Sequence, residues 1–325
     1  MSDRILATVA ILTYNGEDYL ERILRQVLAQ RVDGRIEVLV IDSGSTDRTL
    51  EIVAAFPEVR LHEIPNSEFG HGRSRNLAAQ LAQGEFVAYL THDAVPVSDQ
   101  WLRELLEPFS LNERVVAVLG KQIPRPRCFP LLKYEIRGVF AGLGPDTGTT
   151  LYYKGAFVQD EGTLDMLSFY SDVNSATRRD FLLKIIPYRD VPYAEDQLFG
   201  KDIISAGYVK AYAGRAAVEH SNDLTLAEYG KRIFDETVGL RRIGFGIPPM
   251  TRGQQARLTA RGILGDTARI LRDRDFSWKR RLYWLFANPR YQIRKWSSYR
   301  PSTLVDVDDA DALKSGSLEH SRKSA

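Results

Sequence analysis

The chain has 325 residues, enough to bury a sizeable core as one large domain or as one domain with an extension. Its 44% hydrophobic and 26% charged residues are those of an ordinary globular protein and exclude a disordered or membrane-spanning class. Lys and Arg (44) nearly balance Asp and Glu (42), so no strong nucleic-acid field is implied, and the single Cys128 excludes an intrachain disulfide or a Cys-rich zinc site.

After Arg4 the apolar run is short and merges into a strand-like pattern, and no stretch reaches the roughly 18 apolar residues of a spanning helix; a cytoplasmic protein is expected. The first 120 residues alternate strands (8–13, 37–41, 60–63, 86–90, 115–119) with helices (18–30, 47–56, 74–83, 99–109), the pattern of βαβ units. In the first helix Tyr19, Leu20, Ile23, Leu24, Val27 and Leu28 form one apolar stripe suited to covering a sheet face. Residues 124–163 are punctuated by Pro124, Pro126, Pro130, Gly142, Gly144 and Gly148, so loops and short helices are expected there. Regularity returns at 174–177, with helices over 179–185 and 195–206 and strands over 208–212 and 216–220. Everything after Leu224 reads as helical, and no internal repeat stands out.

Open α/β sheets bind ligands beyond the carboxyl ends of their strands, which makes the polar residues there the first candidates. Thr13-Tyr14-Asn15-Gly16 follows the first strand, Asp42-Ser43-Gly44-Ser45-Thr46-Asp47 the second, and Thr91-His92-Asp93-Ala94 the strand ending at Leu90. Asp42 has two readings, a turn-and-cap residue or an acceptor for a nucleobase N–H; Asp47 reads as a cap. His71-Gly72-Arg73-Ser74-Arg75-Asn76 is either a solvated loop and cap or an anion site, because guanidinium forks and helix N-terminal amides both favour pyrophosphate. Asp93 suits a hard divalent cation, with strand-end His220 as a second ligand or a structural histidine. Glu195-Asp196 opens a helix, where the macrodipole favours acids; alternatively one of the two takes a proton from a hydroxyl.

These loops, in this order, resemble glycosyltransferase family two, inverting enzymes of GT-A fold, over roughly residues 7–240. His71-Gly72-x-Ser74-Arg75-Asn76, Thr91-x-Asp93-Ala94 and Ser171-Asp172-Val173-Asn174-Ser175-Ala176 look like bacterial rhamnosyltransferases that use dTDP-L-rhamnose. The resemblance implies a mixed, mostly parallel Rossmann-like sheet and a nucleotide-sugar site of Thr13, Tyr14, Asn15, Asp42, Ser43, Gly72, Arg73, Arg75, Asn76, Thr91 and His92. It implies that Asp42 contacts the base, that Asp93 with His220 holds Mg²⁺ or Mn²⁺, and that Asp196 is the general base, with Glu195 next in line. The family's usual Asp-x-Asp reads Thr91-His92-Asp93 here, so one carboxylate is replaced by a hydroxyl.

Late in the chain, residues 251–300 hold 13 Lys/Arg against three Asp/Glu. Within 276–300, Trp278, Tyr283, Trp284, Phe286, Tyr291, Trp296 and Tyr299 interleave with basic residues, which is either a packed helical extension or a segment that docks on anionic lipid. The expected organisation is a GT-A domain over 1–240 (nucleotide-sugar half 1–120, acceptor half 121–240), a helical basic and aromatic extension over 241–300, and a flexible acidic tail over 301–325. The expected partners are the nucleotide-sugar donor and a saccharide acceptor, lipid-linked if the enzyme sits at the inner membrane face, with no nucleic acid. Alternatives are a UDP-hexose donor or a non-catalytic sugar-nucleotide or glycan-binding module. The absence of Gly-x-Gly-x-x-Gly after the first strand and of Gly-Lys-Ser/Thr disfavours a dehydrogenase and a P-loop enzyme.

Overall fold

The computed structural model describes residues 4–155, 160–314 and 316–318, so the last part of the expected tail and residues 156–159 of the Pro- and Gly-rich stretch lie outside it. The early apolar runs form β1 (Ile5–Thr13), β2 (Arg35–Asp42), β3 (Val59–Glu63) and β4 (Phe86–Thr91), all parallel. They alternate with α1 (Leu20–Leu28), α2 (Thr49–Ala54) and α3 (His71–Leu81). Next come β5 (Val95–Pro96), α4 (Trp101–Leu106), β6 (Val115–Ile123), α5 (Pro130–Leu143), β7 (Thr149–Tyr152), α6 (Glu161–Ser168), β8 (Asn174–Arg178), α7 (Arg179–Lys184), α8 (Glu195–Ser205) and β9 (Val209–Glu219). The nine strands are ordered β3-β2-β1-β4-β8-β6-β9-β5, with β7 also on β9; β8 runs antiparallel to β4 and β6, while β6 and β9 are parallel.

Strand register decides where the site lies. Thr13 pairs with Asp42 and Leu12 with Thr91, which puts the carboxyl ends of β1, β2 and β4 on one edge. Because β8 is reversed, its first residue Asn174 pairs with Leu90 and residues 171–173 enter at the same edge. The order also reverses beside β1, the crevice position for ligands in such sheets.

The core explains why these runs are strands and helices. β1, β2 and β4 are buried along most of their length, as strands covered on both faces must be. On α1 Leu20, Ile23, Leu24 and Val27 are fully buried in this core, with Tyr19 and Leu28 partly so; burial of each aliphatic side chain contributes roughly 1.5–3 kcal/mol. Trp101 of α4 is fully buried and donates from Nε1 to Asn174 Oδ1 at 2.9 Å. Asn174 Nδ2 in turn donates to Ala216 O (2.8 Å) and Lys121 O (3.1 Å), where the β6–β9 register slips.

Two expectations need correction. Residues 124–163 contain a 14-residue helix, α5, because Pro130 stands at its first position, where the missing N–H costs nothing. The strands expected over 208–212 and 216–220 are one strand, β9, whose irregularity opposite Gly120 and Lys121 is absorbed without a break.

The chain divides into two compact units, one of residues up to Ile123 with Arg137–Ser221, the other of Pro124–Ile136 and the residues from Asn222 onward. The division therefore falls at 221/222 rather than at 240. The second unit is helical, with α9 (Leu226–Arg242), α10 (Arg252–Arg272), α11 (Trp278–Ser302) and α12 (Ala310–Lys314). Capping boxes start α9 (Thr225 with Glu228) and α10 (Thr251 with Gln254). Phe129, Leu131, Tyr229, Ile270, Phe276, Trp284 and Ala287 form its core, beside the buried ion pair of Lys133 and Asp273 at 2.7 Å. The segment expected as a loose tail is packed as far as it is described. Arg241 donates to Ser302 O and Val305 O, both at 2.8 Å, and Leu313 packs with Phe234 and Val238. Among the described residues no helix is long and apolar enough to cross a membrane.

Candidate active site

The loops after β1 and β2 are tied to each other. Asp42 is fully buried and its carboxylate accepts four hydrogen bonds: Gly44 N (2.9 Å) and Ser45 N (2.8 Å) on Oδ1, Thr13 Oγ1 (2.9 Å) and Ser45 Oγ (2.5 Å) on Oδ2. A carboxylate has about four acceptor sites, so this one is saturated by its own loop and by Thr13 at the end of β1. Of the two readings of Asp42, the geometry therefore favours the turn; direct contact with a base has no free lone pair to use. Ser43 is also buried, its hydroxyl donating to Thr13 O at 3.0 Å.

Asn15 adopts φ +50°, a conformation that Asn tolerates better than most residues, and its Oδ1 accepts from Thr46 N at 2.8 Å. Asp47 receives Glu17 N and Thr49 N at 3.0 Å each and so ties the two loops; the residue at the N-cap of α2 is Arg48, which corrects the capping role expected of Asp47. Tyr14 is 46% exposed at this edge, where Asn15 and Thr46 are exposed as well. His92 lies against Gly16, where an added Cβ would come within 3.0 Å of it.

At the start of α3 the two arginines part. Arg73 is exposed and 3.5 Å from the exposed Asp190. Arg75 is buried, its Nε 2.9 Å from Asp172 Oδ2 and its Nη1 2.6 Å from Glu195 Oε1, with a further bond to His71 O at 2.9 Å. The expectation that Arg75 meets a pyrophosphate is corrected: it is buried and ion-paired with two carboxylates, whereas Arg73, of the two, is the one exposed to an anion from solvent. Gly72 packs against Arg189 O, which an added Cβ would approach to 2.3 Å. Asn76 clasps Tyr188 both ways, donating to its carbonyl (2.8 Å) and accepting from its N–H (2.9 Å), so it too serves the fold.

Asp93 and His220, 127 positions apart in sequence, meet with Nε2 3.2 Å from Oδ2. Thr91 Oγ1 donates to Asp93 Oδ1 at 2.7 Å. Burial opposes ionisation of Asp93, yet the His220 charge and hydrogen bond, then His92 and Thr91, hold its carboxyl far below the usual carboxylate range. Gln122 Oε1 lies 2.9 Å from His220 Nδ1, and Gln122 Nε2 donates to Ser171 Oγ at 3.1 Å. With its amide so oriented, Gln122 accepts from Nδ1–H, and Nε2, whose proton faces Asp93 here, would give up that proton to serve as a ligand atom, an arrangement common behind metal-bound histidines. Among the described residues no three acidic, His or Cys side chains cluster as a ligand set. The pair fits a hard cation whose remaining positions are filled by ligand oxygens and water.

The acid pair at the start of α8 is also split. Ala194, before it, sits at φ +63°, a strained conformation for a side chain with a Cβ. Glu195 is buried on Arg75, so it is not available as a base. Asp196 is partly exposed; its Oδ2 receives Asp172 N at 3.4 Å and its Oδ1 receives Gln197 N at 2.8 Å. Burial, then the neighbouring Glu195 and Asp172, push its carboxyl well above the usual range, with Arg75 opposing. A carboxylate whose proton affinity is raised in this way is a stronger base towards a hydroxyl than an ordinary one. Gln122 and Tyr188 join the site through tertiary contacts that no local motif signals, whereas Asp172 lies in a polar motif at a strand start, and that polarity is a signal present in the sequence.

A sequence model described as "Glycosyl transferase family 2" matches residues 8–185. The chain is 27% identical over 237 residues to O-antigen chain rhamnosyltransferase RfbN of Salmonella typhimurium, covering 71% of each chain. It is 29% identical over 234 residues to O-antigen chain rhamnosyltransferase WbaN of Salmonella anatum, again covering 71% of each. Among solved structures, the mannosyltransferase PcManGT from Pyrobaculum calidifontis in complex with GDP-Man and Mn²⁺ superposes with a TM-score of 0.54 at 17% identity, covering 100% of this chain and 89% of that one. S. aureus TarS 1-349 in complex with UDP superposes with a TM-score of 0.52 at 17% identity, covering 92% and 90%.

Proposed function

Since the chain belongs to glycosyltransferase family 2 and is a glycosyltransferase of GT-A fold, we propose that it inverts configuration while moving L-rhamnose from dTDP-L-rhamnose to a hydroxyl of a saccharide acceptor in cell-surface polysaccharide assembly. The two Salmonella relatives named as O-antigen chain rhamnosyltransferases support the sugar and the class of product. The observation that carries the chemistry is Asp196, a partly exposed carboxylate of raised basicity, in a unit that also joins Asp93 to His220.

In this reading Tyr14 and Asn15 line the nucleoside pocket, with buried Thr13, Asp42 and Ser43 shaping it from beneath, and Arg73 meets the diphosphate, with Thr91 and His92 beside it. Asp93 and His220 would hold Mg²⁺ or Mn²⁺, whose charge, when bound, stabilises the departing nucleoside diphosphate. Asp196 accepts the acceptor's hydroxyl proton as that oxygen bonds to the anomeric carbon. The bond from that carbon to the diphosphate oxygen breaks on the opposite side, and the electron pair leaves with the diphosphate. The acceptor is lipid-linked, and the enzyme works against the inner membrane face, a placement supported by the exposed aromatic and basic side of α11.

Two measurements test this. In a thermal-shift panel of nucleotide sugars, dTDP-L-rhamnose with Mg²⁺ should give the largest stabilisation; a larger shift from a UDP-hexose would move the donor assignment. Asp196→Asn should keep that shift while transfer falls by about 10²–10⁴-fold, the usual contribution of a positioned base. Undiminished transfer would remove Asp196 from the role.

A further inference from the structure

We propose that Arg75 and Asp172 are positioning residues for Asp196: together they clamp the strained turn that carries it and set the charge around it. The proposal rests on the reading of Asp196 as the general base.

The geometry is that of a buried clamp with Asp172 at its centre. Asp172 Oδ1 accepts from Ser175 Oγ (2.6 Å) and Tyr188 Oη (2.9 Å), its Oδ2 faces Arg75 Nε (2.9 Å), and its backbone N–H donates to Asp196 Oδ2 (3.4 Å). Arg75 spans the gap to Glu195, the residue before Asp196. Its guanidinium also lies 5.9 Å from the Tyr188 ring centroid, and its carbonyl accepts from Tyr89 Oη at 2.9 Å. Residues 188–196 are thus held to α3 at Gly72, Arg75 and Asn76, and this hold retains Ala194 at positive φ. Such a conformation costs about 1–3 kcal/mol and persists only where neighbouring contacts enforce it.

The charges are uneven. Facing Asp196 are Glu195 from its own helix, Asp172 from the segment entering β8, and Arg75 from α3, with the neutral phenol of Tyr170 nearby. Three carboxylates share one guanidinium, so ionisation of Asp196 adds a like charge to a buried site. Arg75 offsets this repulsion and Asp172 increases it, which gives the two partners opposite signs. Losing the Asp172 charge favours ionised Asp196 and moves the acid limb of the rate–pH profile down. Losing the Arg75 charge moves it up.

The test is transfer rate against pH for the full chain, with melting temperature recorded for each variant. Asp172→Asn and Glu195→Gln should each lower the acid limb by about one pH unit, and Arg75→Gln should raise it by a similar amount. Arg75→Lys, which keeps charge but not the fork, should leave the limb in place while kcat falls about tenfold or more with little change in donor KM. Should Arg75→Gln fail to fold, the other three still decide. Folded Asp172→Asn and Glu195→Gln proteins with an unmoved limb would overturn the proposal and leave the cluster a fold element. An undiminished rate in Asp196→Asn is a separate result, which removes the base itself.

Discussion

Arg73 and Arg75 stand two residues apart at the start of one helix, and about 100° of rotation per residue turns them to different sides. In the sequence they look alike, a pair of cations before a helix. What separates them is Glu195, 120 positions away, and Asp172, neither of which local pattern can bring to Arg75. The same applies to Asp42, whose burial depends on a serine and a threonine in two loops. The Asp93–His220 pair was legible because both residues end apolar strands, and strand ends share an edge in such sheets. The arginines give the sharpest contrast. Arg75→Ala leaves two buried carboxylates without their cation, and urea denaturation should show a loss of about 3–5 kcal/mol. Arg73→Ala should stay within about 0.5 kcal/mol of wild type while donor affinity falls. Equal stability for the two variants would mean that Arg75 is not the buried partner described.

At the scale of elements, the parallel half of the sheet and α1 could be read directly, since apolar periodicity is set locally and burial agrees with it. The Pro- and Gly-rich stretch holds a helix for a local reason too: Pro130 marks the start of α5, not a break. The β6–β9 irregularity was invisible, because it depends on Asn174 reaching two carbonyls across strands. Gly72 shows how one element positions another. A methyl group there would sit 2.3 Å from Arg189 O, so the segment leading to α8 would have to move. Gly72→Ala should therefore lower both melting temperature and transfer, and a variant with unchanged activity would show that the α3 contact does not hold the base.

On the scale of the whole molecule, the sequence revealed a basic excess but not which side of the helices carries it. In residues 251–300 Asp266 and Asp273 are buried, whereas Arg257, Arg261, Arg272, Lys279 and Arg290 face solvent. Trp278 (69% exposed), Leu282, Phe286 (76% exposed) and Ile293 follow one side of α11 at spacings of four, four and seven. An apolar stripe among cations suits an anionic lipid surface, where each basic residue near the headgroups contributes about 1 kcal/mol. The protein should float with vesicles containing phosphatidylglycerol and not with pure phosphatidylcholine, and a Trp278→Ser, Phe286→Ser double variant should float less. Absence from both vesicle types would contradict the membrane-face placement.

A single in-line displacement driven by Asp196 leaves its record in the stereochemistry of the product. With dTDP-L-rhamnose and a saccharide acceptor, NMR of the product should show the anomeric configuration opposite to that of the donor, formed in step with nucleoside diphosphate release. A product that retains the donor's configuration would rule out a single displacement at Asp196.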